Sequence, residues 1–170
     1  MRHIAAAVFV VVAVVGASAP TARPAPEKDG LVELAVRDLV FDRTSGAPVL
    51  LLEARGRDDV LIPIWIGLCE ARAIEMARTG AVTPRPLTYD MVAAFVHALG
   101  ASVEKVVIVD LRDGVYYAEI HLGVGGSKRV IDARPSDAVA LAVRMGAPIY
   151  AVESVVEKAV PPGSRGKRGA

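Results

Sequence analysis

Apolar and polar residues alternate along Leu31 to Phe41 (LVELAVRDLVF), with Val32, Leu34 and Val36 on one face, before the phase slips so that Leu39 and Phe41 continue the apolar set. A period of two predicts a strand, and the slip predicts a bulge near Asp38. The turn cluster Thr44-Ser45-Gly46-Ala47-Pro48 leads to a second strand, Val49 to Ala54. Gly56-Arg57-Asp58-Asp59 turns the chain into a third, Val60 to Ile66, where Pro63 cannot donate to a ladder and predicts an edge position or a bend.

The period then lengthens. Leu68 to Arg78 reads as a helix with Cys69, Ala73, Met76 and Ala77 on one face, ended by Gly80. Thr88 is placed as the N-cap of a helix from Tyr89 to Leu99 with Met91, Val92, Phe95, Val96 and Leu99 as its buried stripe. Val103 to Leu111 and Val115 to Leu122 are strands around Asp113-Gly114, a type I′ hairpin signal, so they are expected to pair antiparallel. A strand from Lys128 to Asp132 follows Gly125-Gly126. Pro135 and Ser136 open a helix to Met145, Gly146 closes it, Pro148 to Val152 is a short strand, and Glu153 to Lys158 adds a helical turn. Strands, two helices, more strands and a further helix predict a single α+β domain, with a mixed, mostly antiparallel sheet and about three packed helices.

The 170-residue length fits one such domain, placed at 31–158. Before it, Arg2, an apolar run from Ile4 to Val15 and the small residues Ala17-Ser18-Ala19 form a signal-peptide pattern over 1–19, too short to span a bilayer comfortably, with Pro20 a poor residue after a cleavage point. The expected location is therefore exported or membrane-anchored and extracytoplasmic, with contact to a membrane only through an uncleaved N-terminal segment. A leader without function would leave the chain cytoplasmic. A Pro-rich linker at 20–30 and an unstructured tail at 159–170 flank the domain. Without Arg2, 19 basic residues face 19 acidic ones, so the basic excess of a general nucleic-acid binder is missing outside Arg165-Gly166-Lys167-Arg168. Cys69, the only cysteine, excludes an internal disulfide and reads as a small core residue, and the single tryptophan, Trp65, as core or interface packing.

No phosphate loop, His-Glu-x-x-His, Gly-x-Ser-x-Gly or Cys-x-x-Cys motif is present. An acid set remains: Asp110 at a strand end, Asp113 in the turn, Glu119 sharing a strand face with His121, and Asp132 and Asp137 bracketing a strand-to-helix junction. Converging carboxylates hold Mg²⁺ or Mn²⁺ and activate water for phosphodiester hydrolysis, which makes Asp132, Asp137, Asp110 and Glu119 the catalytic candidates. The structural account has Asp113 making the turn, Asp137 favouring the helix N-terminus and Arg134 pairing with Asp132 or Asp137; on spacing alone it is the stronger. His121 is expected to face solvent.

LIPIWIG (Leu61 to Gly67), the Glu70-Ala71-x-Ala73-Ile74 run, RPLTYD (Arg85 to Asp90), DLRDGVYYAEI (Asp110 to Ile120) and IDARPSDAVALAVRMGAPIY (Ile131 to Tyr150) together resemble the bifunctional nuclease family. The resemblance implies a compact, homo-oligomeric α+β domain with activity against DNA and RNA. It also implies roles for matching positions: Asp90 beside Asp132 and Asp137 as metal ligands, and Arg134 and Arg85 as phosphate-holding residues. Two departures stand out. Tyr89 occupies the place where the family more often has histidine, and a phenol with a pKa of about 10 is no base near neutrality. The leader is not a usual family feature. The alternative reading is a non-enzymatic oligomeric binding or structural module at the cell envelope.

Overall fold

The computed structural model describes residues 30–57 and 60–159. The leader at 1–19, the linker up to residue 29, Asp58 and Asp59, and the tail beyond Ala159 lie outside those residues. Strands β1 (Leu31–Phe41), β2 (Pro48–Ala54) and β3 (Leu61–Trp65) are followed by helices α1 (Leu68–Thr79) and α2 (Thr88–Ala98). Strands β4 (Ala101–Arg112), β5 (Val115–Val124) and β6 (Ser127–Ala133) come next, then α3 (Pro135–Met145), β7 (Ile149–Val152) and the short α4 (Glu153–Ala159).

All seven strands form one sheet in the order β3-β2-β1-β7-β4-β5-β6. Every pairing is antiparallel except that of β4 with β7, which is parallel because α3 carries the chain from the β6 edge back to the middle of the sheet. This is the mixed, mostly antiparallel α+β domain that the periodicity predicts. The register of β1 on β2 shifts between Val36 and Asp38, the bulge the phase slip requires. Pro63 lies on β3, at an edge of the sheet. Asp113 and Gly114 both have positive φ (49° and 78°), as a type I′ turn demands.

Alternation decides which side chains meet. Leu50, Leu52, Ile62, Val106, Ile108, Ala118 and Ile149 project from one sheet face into a single cluster with Ile74 of α1, Val139 and Ala142 of α3, and Val155 of α4. Each fully buried Leu, Ile or Val there contributes about 1.5–3 kcal/mol. Helix α3 is the centre of the helical layer: it packs on α1, α2, β4 and β5, and Pro135 to Ala142 is buried apart from the half-buried Asp137.

Several local expectations fail for reasons of phase and position. In α1 the buried residue is Ile74, whose face includes Glu70, Ala71 and Ala77; Cys69 lies about 100° round the helix from Glu70 and is exposed, so it is no core residue. Helix α2 sits at the rim, against α3 and β4, and has no buried residue: Tyr89 and Val92 pack on the core while Met91, Phe95 and Leu99 are exposed. Leu87, not Thr88, is the N-cap of α2, and its amide donates to the Asp90 carboxylate at 2.8 Å. His121 is 5% exposed, which overturns the solvent-facing reading, and Trp65 is 58% exposed, so it is no core residue.

Candidate functional site

Helix α3 begins where β6 ends. Its N-cap, Arg134, makes no side-chain cap and is 67% exposed, but its guanidinium is anchored from two sides. Nε donates to Asp137 Oδ2 at 2.6 Å, and Nη2 donates to Asp137 Oδ1 at 3.0 Å and to Glu70 Oε1 at 2.7 Å. The Nη1 donors have no acceptor among the described residues. The Tyr89 hydroxyl donates to Asp137 Oδ1 at 2.7 Å. Asp90, one residue further along α2, forms an ion pair with Arg144 of α3. Three elements distant in sequence thus meet along α3: α1 and α2 at its N-terminal end through Glu70 and Tyr89, and α2 again at its last turn through Asp90.

Electrostatics follow from that geometry. Burial raises the Tyr89 phenol, and the adjoining Asp137 carboxylate raises it further, so Tyr89 is a neutral donor throughout the physiological range. Burial pushes the Asp137 carboxyl up, but the Arg134 and Tyr89 hydrogen bonds outweigh it and hold the carboxyl below its usual range. The Arg134 guanidinium is raised by its hydrogen bonds to Asp137 and Glu70. Gly67, the N-cap of α1, makes room for this arrangement, because a Cβ there would overlap Glu70 Oε2.

Beside Arg134 lies a cavity of about 510 Å³. Its wall combines Trp65 and Gly67, Tyr116 from the β4–β5 hairpin, Arg134 and Ser136 from the start of α3, and Lys158 from α4. Residues of β3 and of the β4–β5 hairpin, which are several strands apart in the sheet order, share this wall, so the sheet is coiled enough to bring them together. Lys158 Nζ donates to Asp110 Oδ1 and to the Leu111 carbonyl, both at 3.2 Å, and its bond to Asp110 lowers that carboxyl's pKa.

The acid set expected from the sequence is therefore divided. Asp137 and Asp110 flank the cavity through Arg134 and Lys158. Glu119 and Asp132 are cross-strand partners whose side chains, by alternation with Ala118 and Ala133, lie on the sheet face away from the helices. Glu119 is buried and exposed Asp132 makes no ion pair among the described residues, so Arg134 pairs with Asp137 and Glu70 and not with Asp132. Asp90, Asp132 and Asp137 do not form a joint ligand set, and no three His, Cys, Asp or Glu residues cluster for a metal ion among the described residues. Asp113 stays in the hairpin turn, and exposed Arg85 does not line the cavity; its carbonyl accepts from Thr83 Oγ1 at 2.6 Å. His121 Nε2 and Glu119 Oε2 are 3.2 Å apart, yet neither has an aligned hydrogen-bond partner.

Sequence reasoning missed Glu70, Gly67, Ser136 and Lys158 as site residues. Glu70 is 64 positions from Arg134, and only the packing of α1 on α3 joins them.

The fold and this corner define a small α+β domain with a cationic, aromatic-lined cleft braced by an acid-arginine network. The chain belongs to the bifunctional nuclease domain family, whose model matches residues 49–162. It is 43% identical over 128 residues to an uncharacterized protein of Mycobacterium tuberculosis, covering 75% of each chain. It is also 30% identical over 105 residues to Bifunctional nuclease 1 of Arabidopsis thaliana, which covers 60% of this chain and 32% of that protein. Bifunctional nuclease 1 of Oryza sativa subsp. japonica is 28% identical over 103 residues, 59% of this chain and 31% of its own.

Proposed function

We propose that the domain hydrolyses phosphodiester bonds of DNA and RNA at the cavity beside Arg134. The observation that carries this reading is the braced guanidinium: Glu70 and Asp137 fix Arg134 at the wall of the cavity while leaving its Nη1 donors unused. A positioned cation of this kind holds phosphate and stabilises charge that develops on it during cleavage. Lys158 adds a second positive charge on the same wall. Family membership and the plant relatives named as bifunctional nucleases support the reaction class. A divalent cation, Mg²⁺ or Mn²⁺, is proposed as a participant, with its ligands left unassigned because Asp90, Asp132 and Asp137 do not cluster. Incubating the full chain with DNA and RNA in Mg²⁺, in Mn²⁺ and in EDTA tests both points. Cleavage is expected, and its loss in EDTA would make a divalent cation part of the reaction.

The alternative, an oligomeric binding module, is favoured by one observation. Met91 and Phe95 of α2 and its C-cap Leu99 recur every four residues and stand exposed. We propose that this exposed stripe contacts a second copy of the chain, which is compatible with either function. Export is proposed from the Arg2 to Ala19 pattern, and cell fractionation tests it.

A further inference from the structure

The cavity contains polar groups that the arginine brace leaves unused. Ser136 lines it while being only 7% exposed, and its hydroxyl has no partner among the described residues. The first helical hydrogen bond of α3 runs from the Ala138 amide to the Arg134 carbonyl at 3.0 Å. Pro135 has no N–H, so the amides of Ser136 and Asp137 precede that bond and have no acceptor within the helix. Lys158 uses two of its three ammonium hydrogens on Asp110 and Leu111. Helix amides, the hydroxyl of a buried serine and an ammonium together are the donor set of an anion seat.

The apolar part of the wall points to what carries the anion. Trp65 is mostly exposed and Tyr116 half-buried, and both line the same cavity. Aromatic faces next to a phosphate-binding group stack unpaired bases with little regard to sequence. A volume of about 510 Å³ falls in the range of small-ligand sites, about 300–1,000 Å³. A base stacked inside a duplex cannot present its face to such a wall without leaving the helix.

We propose that the cavity seats one unpaired nucleotide, its phosphate on the Ser136 hydroxyl, the first amides of α3 and Lys158, and its base against Trp65 and Tyr116. This deepens the phosphodiesterase reading, on which it rests, by making single-stranded chains and frayed ends the substrate.

Trp65 is the only tryptophan, so intrinsic fluorescence reports directly from this wall. The full chain is titrated with adenosine 5′-monophosphate, adenosine and inorganic phosphate. Saturable quenching by the monophosphate is expected, with adenosine weaker by about tenfold or more, since hydrogen bonds to charged groups carry the difference. Ser136→Ala is expected to weaken the monophosphate by roughly tenfold, and Ser136→Asp to abolish its binding, with melting curves showing that both variants are folded. Equal quenching by adenosine and its monophosphate, or unchanged affinity in both Ser136 variants, overturns the nucleotide seat. If the monophosphate binds as expected while DNA and RNA stay intact, the seat stands and the hydrolytic reading falls. If both polymers are cleaved equally well by wild type and Ser136→Asp, the seat falls and hydrolysis stands.

Discussion

The Tyr89 hydroxyl donates to Asp137 Oδ1 at 2.7 Å, so the residue at the position where the sequence resemblance led us to expect histidine is tied to the carboxylate that anchors Arg134. The phenol serves as a donor, and its raised pKa removes it from proton transfer near neutrality. Tyr89→Phe deletes one hydrogen bond to a half-buried carboxylate, and a stability loss of about 1 kcal/mol is expected in urea denaturation. Tyr89→His restores an imidazole beside Asp137, and the pH profile of cleavage is expected to gain an ionisation near 6.5 that wild type lacks.

Gly67 separates stability from positioning. Its backbone (φ −77°, ψ 158°) suits any residue, and the atom that a Cβ would meet is the far end of a flexible glutamate. Gly67→Ala is therefore expected to change unfolding free energy by less than about 1 kcal/mol, because the entropy lost by the unfolded chain offsets the displacement. Cleavage is expected to fall markedly, because Glu70 no longer braces Arg134. An unchanged rate at unchanged stability would remove Glu70 from the site.

His121 gives the stability a defined acid limb. Burial lowers its pKa, the Lys105 charge lowers it further, and the Glu119 and Glu104 carboxylates oppose the shift without reversing it. The unfolded chain therefore takes up the proton more readily than the folded one. Stability is intact above the unfolded value near 6.5 and declines as pH falls from there toward the lower folded pKa. Denaturation curves between pH 5 and 8 measure this, and His121→Gln is expected to flatten the dependence in that window. The depressed Asp137 contributes in the same direction at lower pH: its stabilisation is present above the unfolded carboxylate value and lost as pH falls through the folded one.

The exposed α2 stripe predicts association that one charge disrupts. Phe95→Asp places a carboxylate in the middle of Met91, Phe95 and Leu99 without touching the core. Light scattering is expected to show an oligomer for wild type and a monomer for the variant, with the melting temperature of the isolated fold little changed.

How much of this was legible in the sequence depended on whether the signal was local. Alternation, the slip at Asp38, Pro63 and Asp113-Gly114 each act over a few residues, and the bulge, the edge strand and the hairpin appear where those signals put them. Burial of amphipathic elements was less legible, because periodicity shows that a helix has an apolar face without showing whether anything covers it. The rim position of α2 leaves Phe95 outside for that reason, and the face of β5 that carries Glu119 and His121 is buried although its polar residues suggested solvent. The candidate site was half visible. Arg134 and Asp137 are three residues apart at a helix start, a local pattern, whereas Glu70, Tyr89 and Lys158 reach the same region only through tertiary packing.

The most direct measurement compares hydrolysis of single-stranded DNA and RNA by wild type, Arg134→Lys and Arg134→Ala under one set of cation conditions. Removing a positioned donor to developing charge costs about 10²- to 10³-fold, and a loss of that size is expected for Arg134→Ala. Lysine keeps the charge but not the fork that Glu70 and Asp137 grip, so Arg134→Lys is expected to fall between the two. Equal cleavage by wild type and Arg134→Ala, or no cleavage by wild type, would contradict the assignment of phosphodiester hydrolysis to this cavity.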